Sequence, residues 1–339
     1  MLTTLIVLLT TLSQWGLAIA TTSCEGIWRN ATGPTGLSLE LVAAARNETM
    51  EEWRRHACPL RSFKVNSWDC FKTAPERAVL VSGRQWVPDE GAACKPFFPF
   101  HFLRFLEGKT MLMLGDSIMG QLYIHLVCSL IDVAEAEYKL VWASGHQQQG
   151  HFNSADVFFP FVNATVSFRK RWMYSAGDLE RAVAGLTNLH LVVVNFGLHY
   201  NSFPRKPPQE PDPGDYRNAL TLLSRDMGSF LTEKPPVELF LLETLPQHFA
   251  GSTTNGFYNF DYKMEGCRPI KNVSDDWRLS TMHSIKYPPG VKIIKVTEAL
   301  YSQWDAHIEE GVDGDCSHWC FESAALRYVR LQIWNALFA

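Results

Sequence analysis

Three residue types that cooperate in acyl transfer occur in two widely separated segments of the chain. Ser117 ends the segment "LMLGDS", and Asp315 and His318 lie in "DCSHWC". A serine hydroxyl is a weak nucleophile until a neighbouring base takes its proton. A histidine oriented by a carboxylate can be that base, with the roles divided as in a Ser-His-Asp triad. The spacing predicts that Asp315 and His318 share one turn, with one ring nitrogen on Asp315 and the other facing Ser117.

His318 has two alternative interpretations. It could be a metal ligand together with Cys316 and Cys320, or a half-buried histidine packed on Trp304 and Trp319. Zinc sites of the finger type use a second ligand cluster at matching spacing, which this chain lacks. An even number of cysteines in an oxidising compartment favours disulfides over thiolate ligands. We therefore expect no metal, and disulfides at all eight cysteines: Cys24, Cys58, Cys70, Cys94, Cys128, Cys267, Cys316 and Cys320.

Acyl transfer also needs hydrogen-bond donors for the oxyanion that develops on the substrate. The N–H of Ser117 is one candidate, because the serine would begin a helix whose first amides point at negative charge. The amide of Asn195, at the end of the apolar run "LVVVN", is a second, although an ordinary turn residue is its structural alternative. A glycine would supply a third donor, and Gly145 and Gly150 both remain candidates.

The segments that must position these residues alternate between short apolar strands and amphipathic helices. Strands are predicted within 109–117, 189–197, 237–245 and 291–296, and helices within 118–131, 216–231 and 323–337. Such alternation predicts an α/β/α sandwich with a mostly parallel sheet covered on both faces. Functional groups in such sheets gather beyond the carboxyl ends of the strands, where Ser117 and Asn195 stand.

The amino-terminal third of the chain differs from the remainder. Residues 1–20 lack charged side chains and end in a small-x-small pattern, which predicts a signal peptide; an uncleaved signal anchor is the alternative, and it alone would attach the protein to a membrane. Residues 21–108 are rich in cysteine and predict a disulfide-stapled region packed on a catalytic domain, 109–339. Either interpretation of the amino terminus directs that domain into the secretory lumen.

Composition narrows the choice of partners. The formal charge of -4 and the absence of a basic stripe give a nucleic-acid partner no electrostatic support. Four Asn-x-Ser/Thr sequons predict glycosylation on surface loops, consistent with secretion; they begin at Asn30, Asn47, Asn163 and Asn272.

Taken together, the motifs resemble the trichome birefringence-like group, also called the PC-esterase family, of SGNH-type acyltransferases and esterases. The resemblance runs from Cys24 to the carboxyl terminus. It is carried by "CEGIWRN", the cysteine-bearing segment "CFKTAPERAVLVSGRQWVPDEGAACKPF", "LMLGDSIMGQ", "VVVNFGLHYN", "GCRP" and "DCSHWC". Plant members follow "GDS" with Arg-Asn-Gln, where this chain has Met119, Gly120 and Gln121. The region after "HWC" also differs, so the substrate groove is expected to differ, whereas the triad is intact.

The resemblance implies an SGNH-like α/β/α fold and the transfer or removal of O-acetyl groups on glycans in the Golgi lumen or outside the cell. By it, Ser117 is the nucleophile, His318 the base, Asp315 its orienter and Asn195 an oxyanion donor, and His199 either lines the site or packs. No cofactor is implied beyond an acetyl donor, such as acetyl-CoA or an acetylated intermediate, acting as co-substrate. Family order implies four disulfides: Cys24–Cys94, Cys58–Cys128, Cys70–Cys316 and Cys267–Cys320.

Three functions compete on these observations. The leading prediction is a glycan O-acetyltransferase that works through an acyl-serine intermediate. A carbohydrate acetyl esterase would use the same triad with water as the acceptor. A glycan-binding protein without turnover belongs to a different class, and the complete triad argues against it.

Overall fold

The computed structural model describes residues 21–22, 24–30, 70, 75–90, 92, 94–142, 152–200, 213–234, 236–249, 266–270, 276–308, 315–321 and 323–338. Gly145, Gly150, Cys58, Asn47 and Asn272 lie outside these residues, so the predictions made for them stay predictions.

A central eight-stranded sheet confirms the predicted α/β class. Its spatial order is β1-β10-β9-β8-β4-β7-β6-β5, with parallel pairing from β1 to β7 and antiparallel pairing for β7-β6 and β6-β5. The strands are β1 (Thr21–Thr22), β4 (Thr110–Gly115), β5 (Glu137–Trp142), β6 (Phe152–Phe159), β7 (Ala164–Lys170), β8 (Leu189–Asn195), β9 (Glu238–Leu242) and β10 (Val291–Ile294). Strands β2 (Gly26–Asn30) and β3 (Arg84–Pro88) form a separate antiparallel pair.

Helices cover both faces of the sheet. They are α1 (Pro75–Ser82), α2 (Pro99–Phe105), α3 (Ser117–Ile131), α4 (Asp178–Val183), α5 (Pro213–Glu233), α6 (Trp277–Ser284), α7 (Thr297–Leu300) and α8 (Ala324–Ala336). The alternation of side chains along β4 separates two cores: Met111 and Met113 pack with α3 and α8, whereas Leu112 and Leu114 pack with α4 and α5. The predicted α/β/α layering is therefore present. None of the described helices is long and apolar enough to cross a membrane.

Strand β4 lies where the chain changes direction across the sheet. After β4 the chain builds β5, β6 and β7 on one side, and it then crosses to build β8, β9 and β10 on the other. Such a switch point leaves a crevice beyond the carboxyl end of the strand, which is where open α/β sheets place their ligands. Ser117 follows β4 directly.

The described residues of the amino-terminal region pack against the sheet domain. Trp28 of β2 and Trp86 of β3 contact each other and Tyr328 of α8, with ring centroids 4.5 to 5.4 Å apart. The side-chain amide of Gln332 exchanges two hydrogen bonds with the backbone of Cys24, at 2.7 and 3.0 Å. Strand β1 extends the central sheet beside β10.

The disulfides correct two of the pairings that family order implied. Cys24–Cys94 is confirmed, but Cys70 is bonded to Cys320 and Cys267 to Cys316. The backbone explains the exchange: the N–H of His248 bonds the carbonyl of Cys316, while Phe249 bridges Cys267, so these two cysteines meet on one small ladder. Cys320 instead joins the core that holds Cys70. Cys128 is also disulfide-bonded, and no described cysteine is free.

Candidate active site

The nucleophile candidate stands on a tight turn between β4 and α3. A side chain at Gly115 would come within 2.2 Å of the carbonyl oxygen of Asn195, so only glycine lets β4 approach β8 this closely. Asp116 caps α3: one carboxylate oxygen accepts from the N–H of Ile118, at 2.9 Å, and the other from the N–H of Leu198, at 3.3 Å. Burial raises the pKa of Asp116 to about 6. These contacts hold Ser117 at the first helical position.

The structure brings Ser117, His318 and Asp315 into one hydrogen-bonded row. The Ser117 Oγ lies 2.8 Å from the His318 Nε2, and the His318 Nδ1 lies 2.7 Å from the Asp315 Oδ2. A carboxylate cannot donate, so Nδ1 carries the ring hydrogen and Nε2 is left to accept from the serine hydroxyl. Both distances fall within the range required for proton transfer.

The contacts of Asp315 keep its carboxylate charged, so that it orients the imidazole of His318 and does not take its proton. Its second oxygen accepts from the backbone N–H groups of Ser317 and His318, both at 3.0 Å. Burial alone would raise the pKa of Asp315, but His318 and these backbone donors outweigh it and hold the pKa well below its usual range. The carboxylate stays charged when His318 gains a proton.

Gln121, one turn into α3, joins the serine to residues 315–320, which are termed the histidine segment. Its side-chain oxygen accepts from the N–H of Trp319 at 3.0 Å, and its amide donates to the carbonyl of Trp319 at 2.6 Å. The side chain is fully buried. Because Ser117 and Gln121 lie on one helix, this pair of bonds sets the position of His318 relative to the hydroxyl.

Two buried histidines, His307 and His248, form a hydrogen-bonded chain that ends at the backbone of His318. His307 donates from Nδ1 to the carbonyl of His318, at 2.9 Å, so its Nε2 must accept from Nδ1 of His248, at 2.6 Å. Burial lowers the pKa of both rings, to about 4 for His248. Both are therefore neutral at pH 7, and the pair carries two ring hydrogens for three contacts. The contact left without a hydrogen is that of His248 Nε2 with the carbonyl of Tyr301, at 3.0 Å.

Asn195 does not offer the free amide that sequence analysis expected. Its side-chain nitrogen donates to the carbonyls of Leu242, at 3.1 Å, and Glu243, at 2.9 Å. Both amide hydrogens are thereby committed to joining β8 to the end of β9, and the residue is buried. Asn195 thus has a structural role here, and its role as an oxyanion donor stays a prediction. The Ser117 N–H remains available in principle, since a helix leaves its first amides without an intrahelical partner.

A group that sequence analysis largely missed flanks the triad. Lys170 ends β7 opposite Gly115 and lies over the ring of Trp172, with its Nζ 3.9 Å from the centroid. Trp172 is 47% exposed and meets the ring of His199 edge to face, at 4.4 Å. Burial, then the nearby His318 and Lys170, lower the pKa of His199 to about 4, so the ring is neutral. The sequence offers no clear signal for Lys170 and Trp172, because β7, which Lys170 ends and which Trp172 follows, was not predicted.

The remaining predicted residues are placed as follows. Cys316 and Cys320 are in disulfides, and both nitrogens of His318 are engaged, so the metal interpretation of this segment has no free ligand to use. Within the described ranges no cluster of three metal-ligating side chains occurs. Of the sequons, Asn163 is exposed in the turn between β6 and β7, and Asn30 ends β2.

Fold and candidate site together define an SGNH-like α/β/α protein with a serine, a histidine and an aspartate aligned at the switch point of the sheet. The chain is similar to "Protein trichome birefringence-like 14" of Arabidopsis thaliana, with 23% identity over 317 residues, which covers 76% of this chain and 75% of that protein. This similarity and the motifs support membership of the trichome birefringence-like (PC-esterase) family.

Other comparisons add little. No family model matches the chain. A solved structure of an ADP ribosylation factor-like GTP binding protein/small COPII coat GTPase SAR1 from Encephalitozoon cuniculi in complex with GDP shares 15% identity and covers 70% of this chain and 86% of that one. Its TM-score of 0.31 carries no argument about fold or function.

Proposed function

We propose that this protein is a glycan O-acetyltransferase of the secretory pathway that forms an acyl-serine intermediate. The observation that carries the proposal is the row from Ser117 Oγ through His318 to Asp315, with distances of 2.8 and 2.7 Å. Similarity to a trichome birefringence-like protein supports an acyltransferase or esterase acting on a polysaccharide. The disulfides support an oxidising compartment, with the Golgi lumen as the proposed location.

In the first half-reaction Ser117 takes the acetyl group from its donor. The hydroxyl oxygen bonds the acetyl carbonyl carbon while its proton passes to His318 Nε2, and Asp315 stabilises the resulting imidazolium. Collapse of the tetrahedral intermediate breaks the bond to the donor's leaving group, which receives the proton from His318. The Ser117 N–H, at the positive end of α3, is the proposed oxyanion donor on the protein side.

In the second half-reaction a sugar hydroxyl attacks the acetyl-serine ester. His318 accepts the proton of that hydroxyl, the bond to the Ser117 Oγ breaks, and the proton returns to the serine. Trp172 supports a carbohydrate acceptor, because the carbon-bound hydrogens of a sugar ring pack favourably on the negative face of an aromatic ring. Its exposed indole lies on the same edge of the sheet as the triad.

The decisive experiment supplies the purified protein with a labelled acetyl donor, with and without oligosaccharides. A transferase labels the sugar and, without acceptor, accumulates acetyl on Ser117, which peptide mass spectrometry detects. An esterase releases labelled acetate whether or not sugar is present. Glycan binding with no label on Ser117, and no difference between the wild type and Ser117→Ala, would refute enzymatic function altogether.

A further inference from the structure

Exposed aromatic side chains lie at the end of the sheet opposite Ser117. Phe161 is 65% exposed and Phe100 is 45% exposed. Their ring centroids lie 6.2 Å apart, and the guanidinium of Arg104 lies 5.6 Å from the ring of Phe161 and 5.9 Å from that of Phe100. These three residues are termed the aromatic patch. A contiguous group of exposed apolar side chains often marks a surface that another molecule or group covers.

The turn that carries Phe161 also carries a sequon. The chain passes from β6 to β7 through a short helical turn, Pro160–Val162, which Asn163 closes by donating its N–H to the carbonyl of Pro160, at 3.2 Å. Asn163 adopts the left-handed conformation, with φ 50° and ψ 43°, which asparagine tolerates better than most residues. Thr165 completes the sequon two residues later.

The two exposed side chains of this turn share its solvent face. Val162 is buried, whereas Phe161 and Asn163 on either side of it are exposed. The Cα atoms of two residues separated by one other are at most about 7 Å apart. A sugar attached to the Asn163 amide is therefore within reach of the Phe161 ring without any rearrangement of the backbone. The described residues give the Asn163 side chain no competing hydrogen bond.

We propose that Asn163 carries an N-linked glycan whose first N-acetylglucosamine packs on Phe161, so that the protein's own glycan covers the aromatic patch. Attachment joins the Asn163 Nδ2 to the anomeric carbon of a lipid-linked oligosaccharide pyrophosphate; the bond from that carbon to the pyrophosphate oxygen breaks, and the amide loses one proton. The sugar's carbon-bound hydrogens then meet the negative face of the ring. Phe100 and Arg104 extend the same surface beneath the next sugar.

The position of the patch predicts an effect on stability rather than on turnover. Thr165 lies opposite Thr110, the first residue of β4, whereas Ser117 follows the last residue of that strand. A six-residue strand is about 20 Å long, so the glycan stands far from the candidate active site. The proposal therefore holds or fails independently of the proposed function.

The test compares the secreted full-length wild type with Phe161→Ala, Asn163→Gln and the double variant. Peptide mass spectrometry reports occupancy of Asn163. Each protein is measured intact, after trimming by an endoglycosidase that leaves one N-acetylglucosamine, and after complete removal by an amidase. We expect trimming to leave the melting temperature of the wild type unchanged and complete removal to lower it by about 2–4 °C. The Asn163→Gln variant, which keeps its other sequons, corrects for changes elsewhere.

The coupling between ring and sugar decides the outcome. We expect Phe161→Ala to lower the melting temperature of the glycosylated protein but not of Asn163→Gln. Thr165→Ser keeps the sequon and should behave like the wild type. If Phe161→Ala folds poorly, Phe161→Leu gives the same comparison. An unoccupied Asn163, or equal effects of the Phe161 substitution in both backgrounds, overturns the proposal; the second result would assign the patch to packing or to a protein partner.

Discussion

At the scale of single residues, the triad candidates are held by contacts that leave each atom one role. The Asp315 carboxylate accepts three hydrogen bonds, one ring nitrogen of His318 contacts Asp315, and the other contacts the Ser117 hydroxyl. When catalytic residues act as one unit, removing any one of them costs nearly as much turnover as removing all of them. We expect Ser117→Ala, His318→Ala and Asp315→Asn each to reduce kcat by about 10³-fold or more while the protein stays folded.

Circular dichroism and the melting temperature provide the control for folding of these variants. A protein lacking the serine hydroxyl that kept near-native turnover would eliminate the serine mechanism.

Trp172 provides a residue-scale prediction about the acceptor. If its exposed ring supports the sugar, Trp172→Ala should raise KM for the glycan by about 10-fold, which corresponds to about 1.4 kcal/mol, while kcat changes little. Trp172→Phe should recover part of the loss, since it retains a smaller ring. The neighbouring exposed Met173 offers a matched control, because Met173→Ala removes apolar surface without removing an aromatic face. Equal effects of the two alanine variants would contradict a specific ring contact.

The buried His248 makes stability depend on pH. Its pKa is lowered from 6.5 to about 4, mainly by burial and despite the opposing influence of the Tyr301 carbonyl and Asp305; the positive charge of Arg278 adds to the lowering. Between pH 6.5 and about pH 4, His248 is protonated in the unfolded chain and neutral in the folded chain. The stability contributed above pH 6.5 is therefore lost as pH falls toward 4, by up to about 3 kcal/mol.

Denaturant unfolding at pH 7 and pH 5 measures this loss. We expect His248→Gln to be less stable than the wild type at pH 7 but to lose less between the two conditions. Identical losses would show that His248 titrates alike in both states.

At the scale of elements, α3 connects the serine to the histidine segment through Gln121. Replacing Gln121 with alanine leaves the buried N–H and carbonyl of Trp319 without partners, at a cost of about 1–3 kcal/mol. We expect Gln121→Ala to lower kcat by about 10-fold or more with little change in KM, because His318 shifts while the groove persists.

Tyr123→Phe supplies the matched control for that experiment. It removes a buried hydroxyl on the same helix that bonds the Val166 carbonyl, away from the histidine segment. This variant should lose stability but keep its kcat. A parallel fall of kcat in both variants would mean that Gln121 acts only through the stability of α3.

At the scale of the whole molecule, a disulfide attaches the histidine segment to the amino-terminal region. The Cys70–Cys320 bond closes a sequence separation of 250 residues, and Cys24–Cys94 closes one of 70. Both stabilise the fold, by about 5–6 kcal/mol for Cys70–Cys320 and about 4–5 kcal/mol for Cys24–Cys94 in the chain-entropy account. Of these four cysteines Cys320 alone lies near His318, so removing Cys70 and Cys320 together should lower kcat, whereas removing Cys24 and Cys94 should chiefly lower the melting temperature.

Deletion of residues 21–94 or reduction of all disulfides should abolish activity for the same reason. The deleted stretch supplies β1, the β2–β3 pair and the Cys70 partner of the histidine segment. Turnover is measured on the fraction that remains folded by size-exclusion chromatography. Native turnover after reduction would show that the segment needs no covalent restraint.

The sequence by itself determined the features that depend on local spacing. Asp315 and His318 meet because they lie three positions apart on one turn, and Ser117 and Asn195 lie at strand ends because apolar runs stop there. The strands β4, β8, β9 and β10 are largely buried on both faces, so each consists mainly of apolar residues and is visible without a structure. The strands β5, β6 and β7 were not predicted from the sequence. Along β6 and much of β7, buried residues alternate with partly exposed ones, which is a weaker signal than an apolar run.

Only the tertiary structure decided the contacts between distant segments. Nothing in the sequence distinguishes the disulfide partner of Cys316 from that of Cys320. The hydrogen bond from the His248 N–H to the Cys316 carbonyl places Cys316 beside Cys267, and Cys320 is left to pair with Cys70. The side-chain amide of Asn195 could have faced a substrate, but in the folded chain it donates to the two carbonyls at the end of β9. Gln121 belongs to the segment "LMLGDSIMGQ", but nothing in that segment indicates its contact with Trp319, and the His307–His248 pair belongs to no motif. In each case a buried backbone group takes a hydrogen-bond partner from a segment distant in the sequence. Which groups are brought together is set by how the layers pack and not by residue order.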